Sequence, residues 1–260
     1  MSSPPSSSAS PAAASALSDR ASRDGLVVHE LTVQRMSFDI VRKASLVAPI
    51  GEVTVVLGAN GAGKTTLLEA ISGVIPIASG TVALSGRQLK SLPRRRRARL
   101  GLGHIEQGRR VFGELTTEEN LLVAAQKGYS TDEAFELFPE LAPRRSVRAG
   151  LLSGGEQQML VIARALAVRP KVLMVDEMSL GLAPLVASRL IALMRTLADE
   201  QGVGVLLVEQ FASLALQIGD HAYVVGTGGR IVYDGDCKVL VDNPDILQRA
   251  YLGEGVQQHA

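Results

Sequence analysis

Short apolar runs recur at wide intervals along this chain: Val53-Thr54-Val55-Val56-Leu57, Val172-Leu173-Met174-Val175 and Val205-Leu206-Leu207-Val208. Runs this short, without polar alternation, predict strands covered on both faces, as in a parallel sheet. Helically spaced apolar positions lie between them, for example Leu67, Leu68 and Ile71, so the expected core is α/β. Leu26 to Val33 and Phe38 to Val47 predict two further strands, antiparallel to each other. Near the C-terminus, Ala222-Tyr223-Val224-Val225 and Arg230-Ile231-Val232-Tyr233 flank Gly226-Thr227-Gly228-Gly229, which predicts a hairpin with a four-residue loop. Residues 114–149 carry Glu and Leu at helical spacing, broken at Pro139 and Pro143, and read as a small helical insert.

Residues 1–25 are mostly Ser, Ala and Pro and are expected to form a disordered leader, with 254–260 as a tail. No stretch reaches the roughly 18 apolar residues that a membrane-spanning helix needs. Hydrophobic residues make up 46% of the chain and charged ones 20%, a globular balance. Its 27 basic and 26 acidic residues leave a net charge of +1, so bulk attraction to nucleic acid is not expected and partner recognition must be local. The single cysteine, Cys237, cannot form an internal disulfide, which fits a reducing compartment. The run Arg94-Arg95-Arg96-Arg97-Ala98-Arg99 reads as a solvated helix start with Pro93 at its first position, with a patch for anionic partners as the alternative.

Directly after the first strand, residues 58–65 read GANGAGKT, which fits G-x-x-x-x-G-K-[ST] in a strand-to-helix setting. Backbone N–H groups of Gly58, Ala59, Asn60, Gly61, Ala62 and Gly63 can curl around phosphate oxygens, because the glycines adopt dihedrals that a Cβ forbids. The helix beginning near Lys64 points its positive end at the same anion. In this pattern Lys64 reaches the β- and γ-phosphates and Thr65 offers its hydroxyl to Mg²⁺.

Asp176 and Glu177 follow the second apolar run and so fall at the C-terminal edge of a buried strand, where ligands sit in open α/β sheets. An acidic pair can also end a strand in solvent, but beside a phosphate loop Asp176 is suited to hold Mg²⁺ through a water. Glu177 is suited to orient an attacking water, since phosphoryl transfer depends on positioning and charge stabilisation. Leu152-Ser153-Gly154-Gly155-Glu156-Gln157-Gln158 opens another helix. Ser153 with Glu156 forms a capping box, which accounts for those two residues and leaves the glycines to explain. Gly154 and Gly155 lower helix propensity and allow a phosphate close approach to bare N–H groups.

With these motifs in this order the chain resembles the nucleotide-binding subunits of ATP-binding cassette (ABC) transporters over about residues 26–253; LSGGEQQ is similar to that family's signature. Gly108-Arg109-Arg110-Val111-Phe112, Glu136-Leu137-Phe138-Pro139, Ser179-Leu180-Gly181-Leu182-Ala183-Pro184, Val208-Glu209-Gln210 and Ala250-Tyr251-Leu252-Gly253 resemble the shorter ATPase subunit of branched-chain amino acid importers and their urea and amide relatives. The resemblance implies a P-loop NTPase of ABC type: a mainly parallel sheet with an antiparallel β subdomain and a small helical subdomain. It implies ATP and Mg²⁺ as ligands and a dimer in which Ser153, Gly154 and Gly155 of one subunit close over ATP held by Gly61 to Thr66 of the other. A heterodimer with a second, longer cassette is favoured over a homodimer.

The implied partners are transmembrane permease subunits, with a solute-binding protein acting indirectly, and the implied place is the cytoplasmic face of the membrane. Gln107 falls at the glutamine that contacts Mg²⁺ and couples the site to the permease. Gln210 stands where most of the family has a catalytic histidine, which leaves Glu177 most of the catalytic burden. Three other positions depart from the general pattern. Arg35 replaces an aromatic ring that stacks on adenine, Met178 a proline, and Ala183 an aspartate. A guanidinium can itself stack on a base.

Overall fold

The computed structural model describes residues 20, 24–126, 128–210 and 212–252. The rest of the predicted leader and residues 253–260 lie outside the described residues. The first strand pair is β1 (Gly25–Arg35) and β2 (Phe38–Pro49), antiparallel as expected and joined at Met36 and Ser37. Both turn residues have positive φ, 47° and 68°, the geometry of a two-residue hairpin turn that twists with its strands. The first strand begins at Gly25, and Arg20 pairs with Glu52 at 3.0 Å. Some residues read as leader therefore contact the folded body.

The apolar runs form β3 (Val53–Gly58), β7 (Val172–Asp176) and β8 (Gly204–Val208). With β6 (Leu102–Ile105), β9 (His221–Val225) and β10 (Ile231–Asp236) they build a sheet in the order β10-β9-β3-β8-β7-β6. All its pairings are parallel except β10 with β9. A second, antiparallel sheet runs β2-β1-β4-β5, with β4 at Ser79–Leu84 and β5 at Arg87–Gln88. The β9–β10 loop runs from Gly226 to Arg230, one residue longer than predicted, because Gly226 N–H bonds to Arg230 O and draws Arg230 into the turn.

The period of two decides which layer each strand residue meets. Val55, Leu173, Val175, Val205 and Leu207 join a core beneath one face of the parallel sheet. Val56, Val172, Met174, Leu206 and Val208 join a second core on the other face, shared with the antiparallel sheet. Both faces are covered, so no polar alternation was required. Buried Tyr223 ties the two sheets, its hydroxyl accepting from Val47 N–H at 3.1 Å.

Helix α1 (Lys64–Ser72) follows β3, and the arginine run forms α2 (Arg94–Arg99). The prediction of a solvated start needs correction: Arg97 is buried, and Pro93 is the N-cap rather than the first helical residue. The Arg97 guanidinium donates to Ala70 O at 2.8 Å and Ile71 O at 2.7 Å at the end of α1, and to Leu92 O and Lys90 O. It thus satisfies carbonyls that a helix end leaves open. The helical insert comprises α3 (Thr117–Ala124), α4 (Thr131–Leu137) and two 3₁₀ turns at Pro139–Arg144 and Ala149–Leu151. Leu121, Phe135, Phe138 and Leu141 seat it on Met159 and Leu160 of α5 (Gly154–Leu166). The remaining helices are α6 (Pro184–Gln201), α7 (Ala212–Ile218), α8 (Cys237–Asp242) and α9 (Pro244–Leu252). Among the described residues no helix is long and apolar enough to cross a membrane.

Candidate functional site

β3, β7 and β8 are neighbours in register, so their C-terminal ends bring three predicted segments to one edge. Gly58 closes β3, Asp176 closes β7, and Gln210 lies two residues beyond Val208 of β8. The loop between β3 and α1 reaches Gly63, whose φ of 102° makes it a left-handed N-cap to α1. Gly61 has a φ of 79°, and a Cβ built there meets nothing within 4 Å. Its glycine is required by the backbone, and open space lies beside it, as a phosphate cradle needs.

Lys64 is 4% exposed. Its ammonium folds back onto the loop, donating to Gly58 O at 2.8 Å and Ala59 O at 3.2 Å, and lies 3.7 Å from Glu177 Oε1. Gln107, just past β6, donates from Nε2 to Glu177 Oε2 at 2.9 Å. Lys64, Gln107 and Glu177, far apart in sequence, therefore converge on one carboxylate beside Asp176.

Asp176 is 1% exposed, and neither carboxylate oxygen has a hydrogen-bond partner of acceptable geometry. Burial pushes its carboxyl pKa up to about 6; the Thr65 hydroxyl opposes this, and the Glu177 charge reinforces it. A buried carboxylate with two unsatisfied oxygens beside a hydroxyl is a hard oxygen donor set, and it fits Mg²⁺. Thr65 and Asp176 supply these oxygens, while Gln107 is bonded to the neighbouring Glu177.

Arg35, at the end of β1, donates from Nε to Thr66 Oγ1 at 3.3 Å and forms an ion pair with Glu69. Its guanidinium is thus tied to α1 directly behind the phosphate loop. Gln210 is exposed and makes no side-chain hydrogen bond among the described residues.

The structure does not bring Ser153, Gly154 and Gly155 to this cluster. Among the described residues their side-chain partners are elsewhere. Ser153 Oγ accepts from Glu156 N–H at 3.3 Å, and Glu156 Oε2 accepts from Ser153 N–H at 2.7 Å, the capping box expected from sequence. Arg109 crosses from the Gln107 segment to this helix start: a Cβ on Gly154 would lie 2.5 Å from its Nη1, while Nη2 donates to Leu180 O and Gly181 O. Between Glu177 and Gln157 lies a cleft of 290 Å³, lined also by Gln107, Gly108, Arg109 and Met178. A wider 640 Å³ hollow lies away from all these groups, between the insert and the start of β7.

Sequence reasoning missed Arg109, Ser179 and Glu209. Ser179 N–H and Oγ both bond to the Glu209 carboxylate, and all of these groups are buried. Only the fold places them together.

This phosphate loop, acidic strand edge and capped glycine helix stand within a match to the ABC transporter family that spans residues 41–179. The chain belongs to the ABC transporter family. Like its relatives it is an ATP-binding and ATP-hydrolysing domain. It is 45% identical over 212 residues to the high-affinity branched-chain amino acid transport ATP-binding protein BraG of Pseudomonas aeruginosa, covering 78% of this chain and 88% of that protein. It is 40% identical to the probable branched-chain amino acid transport ATP-binding protein LivF of Archaeoglobus fulgidus, covering 74% and 83%. The fold matches the ADP conformation of an ABC transporter cassette with a TM-score of 0.77 at 24% identity, covering 90% of this chain and all of that one. As an ABC transporter subunit it works with transmembrane permease components.

Proposed function

We propose that this chain energises an importer of branched-chain amino acids, or of a related small polar solute such as urea or an amide. It does so from the cytoplasmic face of the membrane, docked on permease subunits that an extracytoplasmic solute-binding protein serves. The identity to BraG, spanning 88% of that protein, supports the solute class.

The mechanism follows from which residues share an edge. Backbone N–H groups of residues 58–63 cradle the ATP phosphates, with Lys64 and Thr66 at the start of α1. Lys64 leaves its present acceptors, Gly58 O and Ala59 O, for phosphate oxygens. Thr65, Asp176 and Gln107 would hold Mg²⁺, which would supply charge neutralisation. Glu177 orients the attacking water and accepts its proton, and Gln210 contacts the same region without titrating.

Ser153, Gly154 and Gly155 lie apart from the phosphate loop of their own chain, and this single observation carries the dimer reading. They face the ATP of a second ABC subunit, and a heterodimer is favoured. The test is ATP hydrolysis against protein concentration with Mg²⁺, for the parent and for Glu177→Gln. Turnover rising more than linearly, and lost in the variant while ATP still binds, is expected. Normal turnover in Glu177→Gln would sink the catalytic assignment. Turnover strictly proportional to concentration, over a range where the chain is monomeric, would sink the composite site.

A further inference from the structure

Glu177 has a φ of 46°, in the left-handed region that non-glycine residues rarely occupy. Such a residue persists only where its surroundings over-determine it. Two contacts from the end of β8 supply that constraint. Glu177 N–H donates to Val208 O at 2.9 Å. Two residues on, Ser179 donates to Glu209 twice, from its backbone N–H at 3.2 Å and from its hydroxyl at 2.5 Å. Met178 between them is buried. The turn after β7 is therefore gripped on both sides of Met178 by Val208, the last residue of β8, and Glu209, the residue after it.

Glu209 is 1% exposed. Burial pushes its carboxyl pKa up, and the bonds from Ser179 and from Gln210 N–H work against that rise. A carboxyl group taken out of water is costly unless hydrogen-bonded, and here two of its bonds come from the segment that carries Glu177.

We propose that Glu209 is a positioning residue for hydrolysis: through Ser179 it holds the turn of residues 177–179 so that the Glu177 carboxylate stays aimed at the phosphate site. The inference rests on the role given to Glu177 above. Besides this turn, the Glu177 carboxylate is met by Lys64 at 3.7 Å and by Gln107 at 2.9 Å. Reacting groups must be held to fractions of an ångström, since a misplacement of about 1 Å can lower a rate roughly 100-fold.

The experiment compares Glu209→Ala, Glu209→Gln, Ser179→Ala and the Glu209→Ala/Ser179→Ala pair, in the same assembly that gives parental turnover. ATP binding is followed separately with a fluorescent N-methylanthraniloyl ATP. Glu209→Ala and Ser179→Ala are expected to lower kcat by about 10- to 100-fold while KM and probe affinity stay within about twofold, because only the transition state feels the misplaced carboxylate. The pair should fall no further than either single change. Glu209→Gln keeps an oxygen to accept from Ser179 and should recover most of kcat even if Glu209→Ala folds poorly.

The proposal is overturned if folded Glu209→Ala and Ser179→Ala keep the parental kcat, or if kcat and affinity fall together and glutamine rescues neither. Glu177→Gln, run alongside, separates the two failures. Normal turnover there removes the role of Glu177, and this inference with it. An inactive Glu177→Gln beside a fully active Glu209→Ala removes the clasp alone.

Discussion

The phosphate end and the signature end of this molecule both place a helix N-terminus behind glycines, yet they are built in opposite ways. At the phosphate end the groups are inward and crowded: Lys64 and Asp176 are buried, and Glu177 is held by Lys64 and Gln107. At the signature end Ser153 is exposed and its side-chain hydrogen bonds are spent on its own helix. One end is ready to take a nucleotide without help. The other, on the reading proposed above, offers its N–H groups to a second subunit. On that reading, nucleotide binding by one chain and completion of the site by a second subunit belong to separate parts of the fold and can be broken separately.

The largest effect should come from substitutions that test this separation. Lys64→Ala removes the buried ammonium at the loop and should weaken ATP binding to the isolated chain by roughly 100-fold, as loss of a charge-assisted contact to phosphate implies. Ser153→Arg should leave that affinity unchanged and abolish turnover, because it obstructs only the surface facing a second subunit. Equilibrium binding of labelled ATP, with hydrolysis measured in parallel, checks both. Equal loss of binding in the two variants would collapse the contrast.

The next effect concerns what holds the phosphate end rigid. Arg97 caps the last carbonyls of α1 from inside the fold, and Arg97→Met leaves four carbonyl oxygens without their charged donor. Allowing for partial replacement by water, the loss should be about 3 to 4 kcal/mol. Denaturant unfolding would register it, and Arg96→Met, on the exposed face of the same short helix, serves as the control.

Arg97 also shows where the sequence stops being legible. The strands were legible because a doubly covered sheet demands unbroken apolar runs, and the phosphate loop because its glycines, lysine and threonine have fixed spacing. Asp176 and Glu177 were legible because a strand end has a known place in an α/β sheet. Within Arg94 to Arg99 nothing local distinguishes the buried arginine from its solvated neighbours. The choice is made by the end of α1, more than twenty residues away in the chain. Ser179 with Glu209 is the same case, a serine and a glutamate joined only because β7 and β8 are neighbours. The turn at Met36 and Ser37 was hidden for another reason: both residues take positive φ without the Asn or Gly that normally marks such a turn.

A smaller effect tests the strand that leads to Gln107. His104 on β6 has neither ring nitrogen hydrogen-bonded, and burial pushes its pKa down to about 4. The unfolded chain takes up a proton on this residue near pH 6.5 and the folded one does not until about pH 4, so the unfolded state binds more protons in that window and stability falls as pH is lowered through it. The contribution at stake is about 3 kcal/mol. His104→Leu should flatten stability between pH 6.5 and 4 while changing it little at pH 7.5, as urea midpoints across that range would show.

The smallest effect is the most discriminating, because the chain contains two capping boxes of the same design. Thr116 with Glu119 starts α3 and Ser153 with Glu156 starts α5, each hydroxyl accepting from the third residue's N–H and each glutamate returning the bond. Replacing either cap by alanine should cost about 1 kcal/mol of stability. The two helix starts differ in the pair of residues next to the cap. After Thr116 come Thr117 and Glu118, whose backbone N–H groups already donate to Val147 O and Arg145 O and so are not free for an anion. After Ser153 come Gly154 and Gly155, which add no side chain of their own to the first turn, although the Arg109 guanidinium lies beside Gly154. If the N–H groups of that turn serve the nucleotide of a second subunit, Ser153→Ala must lower turnover beyond its stability cost while Thr116→Ala must not, and ATP binding to the isolated chain must be equal in both. Equal turnover in the two variants would mean that the glycines after Ser153 serve no phosphate.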